Sequence, residues 1–110
     1  MVSINTVLLG GNLTRSPESK TIGTAAHCSF GLAMNERWKS GEETKERVTF
    51  VEIECWGKTA ELCAQYLTKG SPVMVEGKLQ LDQWENQDGQ QRSRLFVRAA
   101  TVQFLQGRRQ

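Results

Sequence analysis

The residues of this sequence best placed to do chemistry are aromatic. In VTFVEIECWGK, residues 48–58, a period of two puts Val51, Ile53 and Cys55 on one face of a strand. The other face carries Phe50, Glu52, Glu54 and Trp56. A face with two glutamates belongs to water, yet it holds two large rings. The pattern recurs in PVMVEGKLQLDQWE, residues 72–85, where Trp84 shares parity with Glu76, Lys78, Gln80 and Asp82. Trp38 closes CSFGLAMNERW, residues 28–38, where the chain turns into a charged hairpin. Exposed rings of this kind can stack on unpaired nucleobases, at about 1–3 kcal/mol each and with little sequence preference. Arg37, Lys39, Arg47, Lys58, Lys78 and Arg92 lie near the rings, and Lys20 and Lys69 line the approaches. Cations so placed would follow phosphates and release counterions. Three plainer explanations compete. A bulge turns any one ring inward. Protein contacts also enrich Trp. Most surface Lys and Arg only keep a protein solvated.

Other chemistry has little to stand on. His27 and Cys28 are neighbours on a strand, so their side chains point to opposite faces and cannot easily act as base and nucleophile. There is one histidine, no glycine-rich phosphate loop and no metal-ligand spacing, so neither an enzyme nor a metal or cofactor site is expected. The net charge of +2, from 14 basic and 12 acidic side chains, permits a polyanionic partner without requiring one. Three cysteines without a CxxC spacing point to a reducing compartment, with Cys55 and Cys63 as small core residues. MVSINTVLLGGN has no basic leader before a long apolar run, and no apolar stretch approaches about 18 residues. A cytoplasmic protein without a signal peptide or membrane span is expected, with an organellar or phage origin as the alternative.

The elements that must hold these rings follow from periodicity. Strands are predicted over 5–13, 28–38, 47–57, 72–85 and 92–105, with a loop or irregular arm over 14–27 and a charged hairpin tip over 39–46. On the fourth strand Val73, Val75, Leu79 and Leu81 share the apolar face. Residues 58–68 change to helical spacing, marked by Leu62, Tyr66 and Cys63, and Gly70 and Pro72 stop the helix. NQDGQQ, residues 86–91, contains an Asp-Gly hairpin turn. Residues 1–105 form one domain and 106–110 a frayed end. Long strands in so short a chain predict an all-β fold, a five-stranded Greek-key barrel of the OB type, with one short helix between the third and fourth strands. The first strand, apolar on both parities, either invites pairing with a second copy or is buried on both sides of one barrel.

At this level of detail the chain resembles the bacterial-type single-stranded DNA-binding proteins from Asn5 to about Leu105. The likeness rests on GNLTRSPE (11–18), the F-x-L-A-x-N-E-R-W run (30–38), TFVEIECWGKTAE (49–61), YLTKGSPVMVEGKLQ (66–80) and W-x-x-Q-D-G-Q-x-R (84–92). The resemblance implies an OB-fold that binds and protects single-stranded DNA during replication, recombination and repair. It also implies a homo-oligomer, a tetramer with a dimer as the alternative. It assigns stacking to Trp38, Phe50, Trp56 and Trp84, and phosphate contacts to Lys20, Lys58 and Lys69. Phe50 and Trp56 keep aromatic character with the two types exchanged relative to the family. Three departures stand out. LQLDQW carries Asp82 and Gln83 where the family is commonly basic, and Thr6 replaces a frequently basic residue. The sequence ends at GRRQ without the acidic tip that recruits other enzymes, so it corresponds to a tailless or shortened member. A protein-interaction module on the same fold is the rival reading. Glu52 and Glu54 should repel phosphates, so the DNA backbone is expected to run elsewhere, or one glutamate to make a subunit contact.

Overall fold

A computed structural model describes residues 1–105; the frayed end expected for 106–110 lies outside the described residues. Six strands and one helix follow in the order β1 (Val7–Leu13), β2 (Glu18–Ile22), β3 (Ala25–Ser40), β4 (Glu43–Trp56), α1 (Gly57–Tyr66), β5 (Pro72–Glu85) and β6 (Gln91–Phe104). They form one sheet in the order β1-β5-β6-β4-β3-β2. Asn12 and Leu13 of β1 also pair with Ala33 and Leu32 of β3, which closes β1, β5, β6, β4 and β3 into a barrel. This is the expected five-stranded OB-fold, with its helix between the third and fourth barrel strands. Among the described residues no helix is long and apolar enough to cross a membrane.

The core follows the alternation seen in the sequence. Cys28, Phe30 and Leu32 of β3, Ile53 and Cys55 of β4, Val73 and Val75 of β5 and Val97 of β6 all point inward and are buried. The thiols are free and buried. Burial pushes the Cys28 thiol up to about 11, and a hydrogen bond to Cys63 together with burial keeps Cys55 protonated.

Four expectations need correction. The segment 14–27 is not all loop: β2 pairs with β3 from Glu18↔Ser29 to Ile22↔Ala25. All five of its residues are exposed, so no apolar period marked it. The hairpin tip is also shorter than 39–46. The ladder continues through the charged residues to Ser40↔Glu43, because backbone pairing does not require apolar side chains. On α1 the buried residues are Ala60 and Cys63. Leu62 and Tyr66 are exposed, with the Tyr66 ring 6.2 Å from Phe104 of β6. Finally, Leu79 and Leu81 keep the parity of Val73 and Val75 but are exposed, because β5 and β6 run on together past the barrel as an arm.

The root of that arm is set by a bulge. Glu76 pairs with Thr101 and Gly77 with Ala99, which leaves Ala100 as an extra residue on β6. A Cβ on Gly77 would lie 2.2 Å from the Arg98 carbonyl oxygen, so the two backbones meet here only because residue 77 has no side chain.

Candidate nucleic-acid interface

The outer face of the barrel can be assembled from the registers. β4 and β6 run parallel, with Glu54 beside Arg98, and β6 pairs antiparallel with β5, setting Arg98 opposite Lys78, Phe96 opposite Gln80, Arg94 opposite Asp82 and Arg92 opposite Trp84. Phe50, Glu52, Glu54 and Trp56 of β4 therefore share one side with Arg92, Arg94, Phe96 and Arg98 of β6 and with Lys78, Asp82 and Trp84 of β5. A strand rich in arginine lies between two strands that carry aromatic rings.

The rings differ in how they are held. Phe50 is 68% exposed and Trp84 is 47% exposed. Trp56 is only half-buried, not free in solvent as its parity suggested. The His27 ring meets it edge-on at 4.6 Å, and the Arg98 guanidinium lies 5.6 Å from its centre. Those contacts fix its orientation and leave part of the indole open. Trp38 is 41% exposed, with the Arg47 guanidinium 5.7 Å from its centre. The unbroken β3–β4 ladder gives Trp38 the parity of Phe30 and Leu32, the opposite face of that ribbon from Phe50. The structure thus gathers Phe50, Trp56 and Trp84 on one face and sets Trp38 apart on the hairpin arm.

The sequence-predicted cations are scattered. Lys78 and Arg92 stand on the outer face, and the Arg92 Nη2 donates to Gln90 Oε1 at 3.3 Å. Arg37 and Lys39 project from the β3 arm on the parity of that face, with Arg37 Nε 3.6 Å from Glu46 Oε1. Lys20 is opposite His27 on β2. Lys58 lies in the first turn of α1, 3.9 Å from Glu61, and Lys69 lies in the loop beyond α1, its backbone N–H donating to Ser16 Oγ at 3.2 Å. These last two are off the sheet.

Sequence reasoning missed the groups that settle the glutamates. Arg15 forks onto Glu52, with Nη2–Oε2 at 2.8 Å and Nη1–Oε1 at 3.3 Å. Glu54 accepts from Arg94 and lies 3.4 Å from His27 Nε2. Burial alone would raise the Glu54 carboxyl; hydrogen bonds from Arg94 and His27, with their charges, outweigh it and hold the group below the usual carboxylate range. Both glutamates thus have cationic partners within the chain, so neither depends on a subunit contact to be satisfied. Arg15 sits in a loop with no signal to mark it. Arg94, Phe96 and Arg98 were not singled out either, although RSRLFVR alternates them with Arg92 at a strand period, a signal that could have found them.

A model of the single-strand binding protein family matches residues 4–105. The chain belongs to that family. It is 45% identical over 106 residues to a single-stranded DNA-binding protein of Treponema pallidum, covering 96% of this chain and 60% of that one. A protein of the same description from Wolinella succinogenes is 41% identical, with 92% and 64% covered. The chain thus spans a little under two thirds of these relatives. Among solved structures it is similar to a Plasmodium falciparum SSB in complex with ssDNA, at a TM-score of 0.86 and 26% identity, covering 96% and 97% of the two chains. For a member of this family, a ring-bearing outer sheet beside a row of arginines is the natural candidate interface.

Proposed function

We propose that this chain binds single-stranded DNA without sequence preference and protects it during replication, recombination and repair, and that it has no catalytic role. The observation that carries this reading is the outer face of β4, β6 and β5, where Phe50, Trp56 and Trp84 flank Arg92 and Arg98. Bases stack on the rings, and phosphates pass along the cations between and beside them. Trp38 with Arg47 on one side of the β3–β4 arm, and Arg37 with Lys39 on the other, extend the path, and Lys20, Lys58, Lys69 and Lys78 border it. The test is quenching of tryptophan fluorescence by oligo-dT at low and high salt, with duplex DNA as control. Quenching by oligo-dT that largely survives salt is expected. Equal, salt-erased responses to both would reduce the site to a generic basic surface, and no response to either would favour an interaction module.

Assembly belongs to the same proposal: a homotetramer, with a dimer as the alternative. Leu79, Leu81 and Leu95 are exposed on one side of the β5–β6 arm. β1 pairs with β3 only at Asn12 and Leu13, so its edge over residues 7–11 is open among the described residues. Apolar surface and an open edge both favour a second copy. A monomer mass by light scattering at micromolar protein would count against it. The free thiols fit a cytoplasmic, reducing setting.

A further inference from the structure

Phe96 is 4% exposed, yet it is absent from the core cluster and faces outward, between Glu52 and Glu54 on β4 and Gln80 on β5. What covers it is a cation. The Arg94 guanidinium lies 4.3 Å from the centre of the Phe96 ring. Its Nη2 is bonded to Glu54 and lies 3.5 Å from Asp82. The head group is therefore set against an aromatic ring and tied through one of its nitrogens to two carboxylates. The side chain remains 38% exposed.

We propose that Arg94 is a base-stacking platform and not a phosphate contact. The inference rests on the single-stranded DNA reading and adds a fourth flat surface to the sheet face. Charge argues against a phosphate. Arg94, Glu54 and Asp82 together carry one net negative charge, and a phosphate reaching Arg94 would have to displace a carboxylate or sit beside two of them. A base faces no such obstacle. Guanidinium planes stack on bases as aromatic rings do, and one already held against a ring and tied through its Nη2 to two carboxylates loses little freedom in doing so. Position also suits the role. Arg94 is two residues from Arg92, the partner of Trp84, and such same-face neighbours are about 7 Å apart. A nucleotide on Arg94 would follow one on Trp84. The same arrangement accounts for Asp82, which takes a negative charge into the segment before Trp84: it holds the platform in place.

The experiment compares wild type, Arg94→Lys, Arg94→Gln and Phe96→Leu for binding to oligo-dT and to an abasic deoxyribose-phosphate oligomer of equal length, across a salt series. Arg94→Lys keeps the charge and loses the plane. It is expected to bind oligo-dT about tenfold more weakly, with the salt slope and the abasic affinity unchanged. Arg94→Gln should behave alike, and Phe96→Leu should show a smaller loss of the same kind. Melting curves at one protein concentration verify that each variant is folded. The proposal is overturned if Arg94→Lys matches wild type, whether or not Arg94→Gln weakens both ligands and flattens the salt slope by about 0.7, the mark of a phosphate contact. Failure of wild type to bind oligo-dT at all would overturn the parent reading together with this one.

Discussion

Replacing Gly77 by Ala probes the join between barrel and arm. The new Cβ would lie 2.2 Å from the Arg98 carbonyl oxygen and 2.9 Å from the Ala99 Cα. Carbon–oxygen contacts ordinarily close no nearer than about 3.3 Å, so the strands must part by about 1 Å. Neither neighbour is a side-chain end that can rotate away. Nor can β5 retreat freely, since Gly77 is paired with Val7 of β1 on its other side. Overpacking of this kind costs about 1–3 kcal/mol, against about 0.4–1 kcal/mol recovered from a stiffer unfolded chain. A net loss of about 1–2 kcal/mol should lower the melting midpoint by about 4–10 °C in a domain of this size. Gly10→Ala is the control, because its nearest neighbour, the Val73 carbonyl oxygen, is 4.0 Å away. Thermal melts at one protein concentration would compare the midpoints of both variants with wild type. Equal stability of the two variants would refute the close-approach argument.

Four further outcomes are expected. Phe50→Ala and Trp84→Ala, both on exposed rings, should each weaken oligo-dT binding by about five- to a hundredfold with little change in melting. Trp56→Ala should weaken binding and also destabilise, because His27 and Arg98 pack on that ring. Glu54 has a folded pKa below its unfolded value, so its stabilising contribution is complete above about pH 4.3 and is lost as pH falls through the folded pKa. Glu54→Gln should accordingly flatten the acid limb of stability measured by urea melts between about pH 5 and 3. Ellman's reagent should find no reactive thiol in the native protein and all three in denaturant, since Cys28, Cys55 and Cys63 are buried.

The barrel was legible because its inner faces alternate. Phe30, Leu32, Ile53, Val73 and Val75 announce both the strands and their inward side. β2 was not, because a strand held only by backbone pairing along an exposed edge has no reason to alternate. Leu79 and Leu81 misled for the opposite reason: parity tells which side a residue faces, but not where the barrel stops. In the site, the aromatic positions could be read one strand at a time. Their grouping could not, since the separation of Trp38 from Phe50 depends on which residues of β3 and β4 stand opposite each other. Glu52 and Glu54 looked like obstacles because their partners come from elsewhere in the chain. Arg15 is 37 residues away and Arg94 is 40, and nothing local specifies either pair.

The two neighbours of β1 bear on the order in which the polypeptide can organise as it is synthesised. β3 and β4 can fold back on each other as soon as both have been made, and so can β5 and β6. β1 is different. Over Val7–Asn12 its ladder partners are residues 72–77, and the two pairs it makes with β3 are all that could hold it before then. At about 5–20 residues per second, the ribosome leaves this apolar segment waiting for about 3–13 s. During that interval VLLGGNL is an unpaired, uncharged strand, open to self-pairing or to chaperones. Its two glycines then matter in a second way, because they weaken the tendency of the stretch to settle into a sheet with the wrong neighbour.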